Sequence, residues 1–223
     1  MPVLLSLFDH SGNWSMPFFK GGWDVIIIDK QNKDSDNFCI FDCDINDLDA
    51  DFFYENIFDN FGTVDGILCA PPCTAFSSSG AHTWQNRDQP KKDLFGEFNE
   101  MDIYINLVKQ CLRVINLCCP AFWALENPVG RINKLVPEIG KPWFFQPYEF
   151  GDPWSKKTGI YGNFNKPPKT NIVRPSYSLA HKKGGGKGLK SKNIRSITPM
   201  GFAQAFYEAN KNLSEQYLSD DFE

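Results

Sequence analysis

Apolar residues gather in short runs separated by polar turns, and the runs have the length of buried strands. Val3 to Phe8 is apolar apart from Ser6. Asp24 to Ile28 carries four consecutive apolar residues, and Phe38 to Cys43, Asp65 to Ala70 and Ala121 to Leu125 repeat the pattern. Runs of this kind bounded by turn residues fit strands covered on both faces. Ile103, Leu107, Cys111, Val114 and Leu117 recur at helical spacing, which predicts a helix over 99–117. Weaker helical patterns cover 14–19, ended by Gly21-Gly22, and 47–58, with Asp47 as N-cap. A long polar loop runs from Pro71-Pro72 to about Gly96. Further on, 143–150 and 158–164 read as strands, 165–195 as loop, and 199–217 as a last helix with Thr198 as N-cap and Pro199 in its first turn. Buried strands alternating with helices predict an α/β fold, doubly wound, with a mostly parallel sheet. Ligands in such folds bind at the carboxyl ends of the strands. Asp9, Gly12, Asp29, Asp44, Cys73 and Glu126 all fall at or just after a predicted strand end.

The 223 residues allow one full domain with at most a small appendage. A chain of this size buries a sizeable core without a disulfide or metal staple. Apolar residues make up 42% and charged residues 22%, which excludes a disordered chain, a collagen and a coiled coil. No apolar run approaches the ~20 residues that span a bilayer. The N-terminus lacks a basic segment and meets an acid at Asp9, so no signal peptide and a cytoplasmic location are expected. Seven cysteines without a secretory signal predict thiols rather than disulfides. Cys39, Cys69 and Cys111 fit small buried hydrophobes. No C-x2-C pair and no histidine cluster is present, so no metal site is expected.

The net charge of −4 hides an asymmetry that changes the expected partner. Residues 1–130 hold 8 lysines and arginines against 19 acids, a balance of −11. Residues 131–195 hold 14 against 3, a balance of +11. The basic part includes His181-Lys182-Lys183-Gly184-Gly185-Gly186-Lys187. Phosphate contacts are short-ranged, so a local basic segment binds a polyanion despite an acidic total. A loop with three adjacent glycines suits a polyanion that orders it on binding.

Four groups of residues carry candidate chemistry. In Leu7-Phe8-Asp9-His10-Ser11-Gly12-Asn13-Trp14, a strand enters a glycine loop and then a helix, a frequent entry for a nucleotide cofactor. Asp29 follows the second strand, where a carboxylate accepts from a ribose diol. Asp44-Ile45 follows the third, where the acid accepts from an amino group and the isoleucine packs on a ring. Pro71-Pro72-Cys73 fixes a cysteine just past the fourth strand as a candidate nucleophile. Glu126-Asn127-Pro128 puts a carboxylate at the lip of the sheet as a candidate general acid, kept protonated by partial burial.

Taken together, these motifs resemble the C5-cytosine DNA methyltransferases, in a compact, phage-type form. Leu7-Phe8-x-x-x-Gly12 looks like their cofactor loop, and Asp44-Ile45 like their adenine-binding pair. Pro72-Cys73-x-Ala75-Phe76-Ser77 looks like their catalytic loop, and Glu126-Asn127 like their Glu-Asn-Val, with Pro128 in the valine's place. Thr198-Pro199-x-Gly201-Phe202 looks like their closing helix. The resemblance implies methyl transfer from S-adenosylmethionine to carbon 5 of a flipped cytosine. It implies Cys73, Glu126, Asn127 and Lys157 as catalytic residues. Phe8, Gly12, Trp14, Asp29, Asp44, Ile45 and Pro72 would line the cofactor pocket. Ser77, Lys156, Lys182, Lys183, Lys187 and Arg195 would touch DNA. It divides the chain into a catalytic domain (1–162), a basic loop in place of a recognition domain (163–195) and a closing helix (196–223), acting as a monomer. Two alternatives stay open: the same site with a carboxylated S-adenosylmethionine, and a non-catalytic DNA-binding protein of methyltransferase descent.

Overall fold

The computed structural model describes residues 1–31, 35–94, 96–178 and 196–213. Strands β1 (Val3–Leu7), β2 (Asp24–Ile28), β3 (Cys39–Phe41), β4 (Gly66–Cys69) and β7 (Phe122–Pro128) run parallel. Two further strands, β8 (Trp143–Phe145) and β10 (Thr158–Asn163), complete a seven-stranded sheet of order β3-β2-β1-β4-β7-β10-β8. β10 is antiparallel to both its neighbours. The order reverses at β1, which places the carboxyl ends of β1, β2 and β4 around one switch point.

Alternate residues of the strands feed two separate cores, as the period of two requires. Leu5, Leu7, Ile26, Ile28, Ile67, Cys69 and Leu125 point to one face. That face is covered by α5 (Glu100–Cys118) through Val108, Cys111 and Val114, and by Phe53 of α2 (Ala50–Phe53). Leu4, Val25, Ile27, Leu68, Phe122 and Ala124 point to the other. There α1 (Met16–Lys20) and the last described helix, α7 (Met200–Asn210), pack with Trp14 and Phe18. Phe202 lies flat on Phe145, with ring centroids 3.8 Å apart. Residues near the C-terminus thus complete the core that β1 begins.

The local chemistry moves several element boundaries. Asp47 is not a helix cap. Asp44 accepts from the Asn46 amide and starts a 3-10 turn over Ile45–Asp47, and Asp49 accepts from the Phe52 amide and starts α2. A π turn, Tyr54–Phe58, and α3 (Asp59–Phe61) continue that helix. Asn99 caps α5 by accepting from the Met101 amide, so the helix starts one residue later than the apolar spacing shows. Thr198 does not cap α7, because Pro199 is still extended with ψ of 130° and no side chain caps the helix. The polar stretch after Pro72 is not one loop. It contains a 3-10 turn (Ser78–Thr83), α4 (Trp84–Arg87) and a hairpin of β5 (Pro90–Asp93) with β6 (Gly96–Asn99). The third strand, the last two sheet strands and the last helix are shorter than their apolar runs. After Glu126 lie also α6 (Ile132–Leu135) and a small parallel pair of β9 (Trp154–Ser155) with β11 (Tyr177–Ser178). Cys69 and Cys111 are buried as expected, whereas Cys39 is half-buried, and all seven cysteines are thiols. No helix among the described residues is long and apolar enough to cross a membrane.

Candidate active site

The loop after β1 turns on one acid. Asp9 is 6% exposed, and its carboxylate accepts from the hydroxyls of Ser15 (2.7 Å) and Ser6 (3.2 Å) and from the Ser15 amide (3.3 Å). Its carbonyl accepts from the Gly12 amide at 2.9 Å, closing the turn. Burial pushes the Asp9 carboxyl above its ordinary range, against the lowering pull of those hydrogen bonds. Phe8 and Gly12 both adopt left-handed backbone, with φ of 62° and 64°. Gly12 is doubly required, since a Cβ there would also lie 2.5 Å from the Phe38 ring. A cavity of about 300 Å³ opens beside this loop, lined by His10, Ser11, Gly12, Ile27, Ser35, Phe38 and Ile40. Pocket volumes for small ligands begin at about this size.

The acids of the next two strands lie past the carboxyl ends of β2 and β3, on one side of the switch point. Asp29 is 6% exposed and accepts from the Gln31 amide at 2.8 Å. Burial raises its carboxyl, with that bond and nearby His10 opposing. Asp44 is drawn the other way, below the usual range, because Lys30 donates to it at 2.9 Å and Asn46 donates to its other oxygen. Lys30 is a residue that the motif reading passed over. A carboxylate offers about four lone-pair sites, so Asp44 retains capacity for another donor.

Cys73 sits on a tight turn four residues beyond the end of β4. Its carbonyl accepts from the Phe76 and Ser77 amides (3.0 and 2.9 Å), and Ala75 and Phe76 are fully buried, pinning the turn to the core. Pro71 is buried, Pro72 exposed and Cys73 half-buried. On the neighbouring strand β7, Glu126 is half-buried and faces Lys156, whose Nζ lies 3.5 Å from Oε1. The two segments are stitched together just downstream. Ser77 bridges Gly130, the Ser78 amide donates to the Val129 carbonyl (2.8 Å), and the Arg131 amide donates to the Phe76 carbonyl (3.0 Å). A Cβ on Gly130 would overlap that Phe76 carbonyl. The strand reading identified the thiol and the carboxylate but not this seam.

Several expected site residues are placed differently. Trp14 is 1% exposed and packs against Phe202 and Phe206, so it belongs to the core rather than to a pocket wall. Ile45 is likewise buried in the core of the α5 face. Ser77 is buried, with its hydroxyl on Ser79 at 2.9 Å, so it does not face outward. The two lysines are placed the other way round from the expectation that Lys157 serves the site and Lys156 the DNA. Lys156 meets Glu126, whereas Lys157 lies over the Phe144 ring, 4.6 Å from its centroid. Both lie in the two-residue link between β9 and β10, and only Lys156 reaches β7. Asn127 is fully buried, and neither its side-chain oxygen nor its nitrogen has a hydrogen-bond partner in the structure. Lys182, Lys183, Lys187 and Arg195 lie outside the described residues. Among the described residues, no group of three or more His, Cys, Asp or Glu is placed to hold a metal ion.

No family model matches the chain. Curated proteins do. Over 140 residues it is 29% identical to the type II methyltransferase M.DdeI of Desulfomicrobium norvegicum, a match covering 58% of this chain and 28% of that protein. Over 136 residues it is 26% identical to the type II methyltransferase M1.HphI of Haemophilus parahaemolyticus, covering 57% of this chain and 32% of that protein. The matched stretches thus span about a third of those relatives or less. Among solved structures, a candidate DNA modification methyltransferase encoded within an E. coli prophage superposes with a TM-score of 0.50 at 18% identity, over 73% of this chain and 47% of that one. In sequence part of the chain is similar to type II methyltransferases, and its architecture is an α/β fold shared with that prophage-encoded structure.

Proposed function

We propose that this chain is a DNA methyltransferase that acts on carbon 5 of cytosine, with Cys73 as nucleophile and S-adenosylmethionine as methyl donor. One observation carries the reading. A thiol on a rigid turn and a lysine-paired carboxylate sit at the carboxyl edge of adjacent parallel strands, joined by backbone hydrogen bonds a few residues past each. The donor fits the remaining residues. It carries a cationic sulfonium, a ribose diol and an adenine, and the edge offers Asp29 and Asp44 with a glycine loop open beside them. Phe8, Gly12, Asp29, Asp44 and Pro72 are the residues that would hold it. When bound, it supplies an electrophilic methyl group.

The rest of the chemistry falls to the chain's own side chains. Carbon 5 of cytosine is a poor nucleophile. Addition of the Cys73 thiolate to carbon 6 gives the ring enamine character and makes carbon 5 the reactive atom. Glu126 protonates or hydrogen-bonds ring nitrogen N3, which lowers the barrier to that addition. Lys156 holds the Glu126 carboxyl in place from the link that leads into β10. Once carbon 5 carries the methyl group, its proton passes to water and the thiolate leaves carbon 6, which restores the aromatic ring. The Pro-Pro turn keeps Cys73 from drifting, so that little orientational freedom remains to be lost on binding. The target base has to leave the duplex, at a cost of a few kcal/mol. Basic residues of 131–195 offset that cost through phosphate contacts.

A DNA oligonucleotide bearing 5-fluorocytosine tests the covalent step. Fluorine cannot leave carbon 5 as a proton does, so the thioether at carbon 6 persists. With S-adenosylmethionine, wild-type protein should form a species resistant to denaturing electrophoresis, and Cys73→Ala should form none. A trapped species that survives Cys73→Ala would assign the nucleophile elsewhere.

A further inference from the structure

Arg131 makes contacts that neither the sequence motifs nor the methyltransferase chemistry account for. It lies five residues past Glu126, just beyond the Gly130 seam. Its amide donates to the Phe76 carbonyl (3.0 Å), and its Nε donates to the Ala75 carbonyl (3.2 Å). Both carbonyls belong to the turn that begins at Cys73. The two terminal nitrogens fork onto the Asp88 carboxylate at 2.6 and 2.7 Å, just past α4. The guanidinium plane stands 4.3 Å from the centroid of the Trp84 ring, in α4 itself. The arginine side chain is only 14% exposed, and its hydrogen bond holds the Asp88 carboxyl below the ordinary range.

A single guanidinium therefore joins three pieces: the strand segment that carries Glu126, the turn that carries Cys73, and α4. The end of α4 and the strand after it are tied in turn to the start of α5, where Glu100 pairs with both Arg87 and Lys91. The site needs an arginine here. Backbone carbonyls, a bidentate carboxylate and a ring face together require a planar fork with several donors, and a lysine ammonium meets only one of these at a time.

We propose that Arg131 is a positioning residue for Cys73: it locks the thiol-bearing turn against the Glu126 strand and sets the register of α4 upon it. The inference rests on the proposed role of Cys73, and it is tested by a readout that needs no DNA. In the full chain, Arg131→Lys and Asp88→Asn are compared with wild type. One measurement is single-turnover methyl transfer from S-adenosylmethionine to duplex DNA. The second is the alkylation rate of each cysteine by iodoacetamide between about pH 6 and 9, resolved by peptide mass spectrometry. Arg131→Lys should slow transfer about 10- to 100-fold, the scale of a nucleophile displaced by about an ångström. It should also shift the rate or pH midpoint of Cys73 alkylation, while buried Cys69 and Cys111 stay protected. Asp88→Asn should give a smaller change, and little further loss in the Arg131→Lys background. Unchanged Cys73 alkylation in Arg131→Lys would overturn the proposal, as would a change matched by deprotection of Cys69 and Cys111, which reports general loosening. Absence of methyl transfer by wild type would count against the proposed function alone, because the alkylation profile still decides the positioning claim.

Discussion

Lys156 and Lys157 are identical side chains one residue apart, yet only one of them meets Glu126. The link between β9 and β10 directs Lys156 to Glu126 and Lys157 to the face of Phe144. Lys156→Met is expected to lower the methyl-transfer rate about 10- to 100-fold, since it frees the carboxyl that has to meet the base. Lys157→Met is expected to stay within about twofold of wild type under the same assay, a surface cation being worth little. Equal losses in the two variants would remove Lys156 from the site. Gly130 makes a second residue-scale case. A Cβ there meets the Phe76 carbonyl, so Gly130→Ala has to separate the Cys73 turn from the Glu126 strand. The cost should be about 1–3 kcal/mol in urea unfolding, with transfer falling further than stability alone explains. Cys73, Glu126, Asp29 and Asp44 were legible as residues because each follows an apolar run. Arg131, Asp88 and Gly130 were not, because their partners are carbonyls and rings reached only through folding. Trp14 misled for the opposite reason: position in a motif does not show which way a ring turns, and this one fills the core.

At the scale of elements, the loop after β1 shows how one buried acid organises a turn. Asp9 ties Ser6, Ser15 and Gly12 into a turn that a single glycine then completes. Burial keeps the folded-state affinity of Asp9 for a proton above that of the unfolded chain. The sign follows. Its contribution to stability is greatest below the unfolded-state value and declines as pH rises through the folded-state value, then stays level. Asp9→Asn removes this titration. The urea midpoint difference between variant and wild type should therefore change as pH rises from the ordinary aspartate range, about 4, through the higher folded-state value, and be constant beyond it. A difference independent of pH would show that the carboxyl does not titrate abnormally. The five parallel strands and α5 were readable from apolar runs and helical spacing, since their burial dominates local preference. The segment from Ser78 to Asn99 was not. Its short helix and hairpin carry few buried residues and are held by Arg87, Lys91, Glu100, Asp88 and Arg131, and charges far apart in sequence leave no periodic trace. The start of α2 was missed because three aspartates, Asp44, Asp47 and Asp49, compete as caps within six residues.

For the whole molecule, two features act together. The sheet buries both faces, and α7 returns to complete the core that β1, α1 and β7 begin. Phe202, fully buried against Phe145 and Trp14, is the pivot of that closure. Phe202→Ala should cost about 3–5 kcal/mol and lower the thermal midpoint accordingly, whereas a cost under ~1 kcal/mol would mean that α7 is not part of the cooperative core. The other feature is the division of charge, acidic through residue 130 and basic over 131–195. An acidic edge suits a cationic donor and a basic segment suits a polyanion, which is the asymmetry the proposed function calls for. The most direct test of that account is mass spectrometry of nucleosides from cytosine-containing DNA incubated with the full chain and S-adenosylmethionine, beside a Cys73→Ala control. The account predicts 5-methylcytosine with wild type and none with the variant. Methylation on another atom or base, or 5-methylcytosine that persists without the Cys73 thiol, would contradict it.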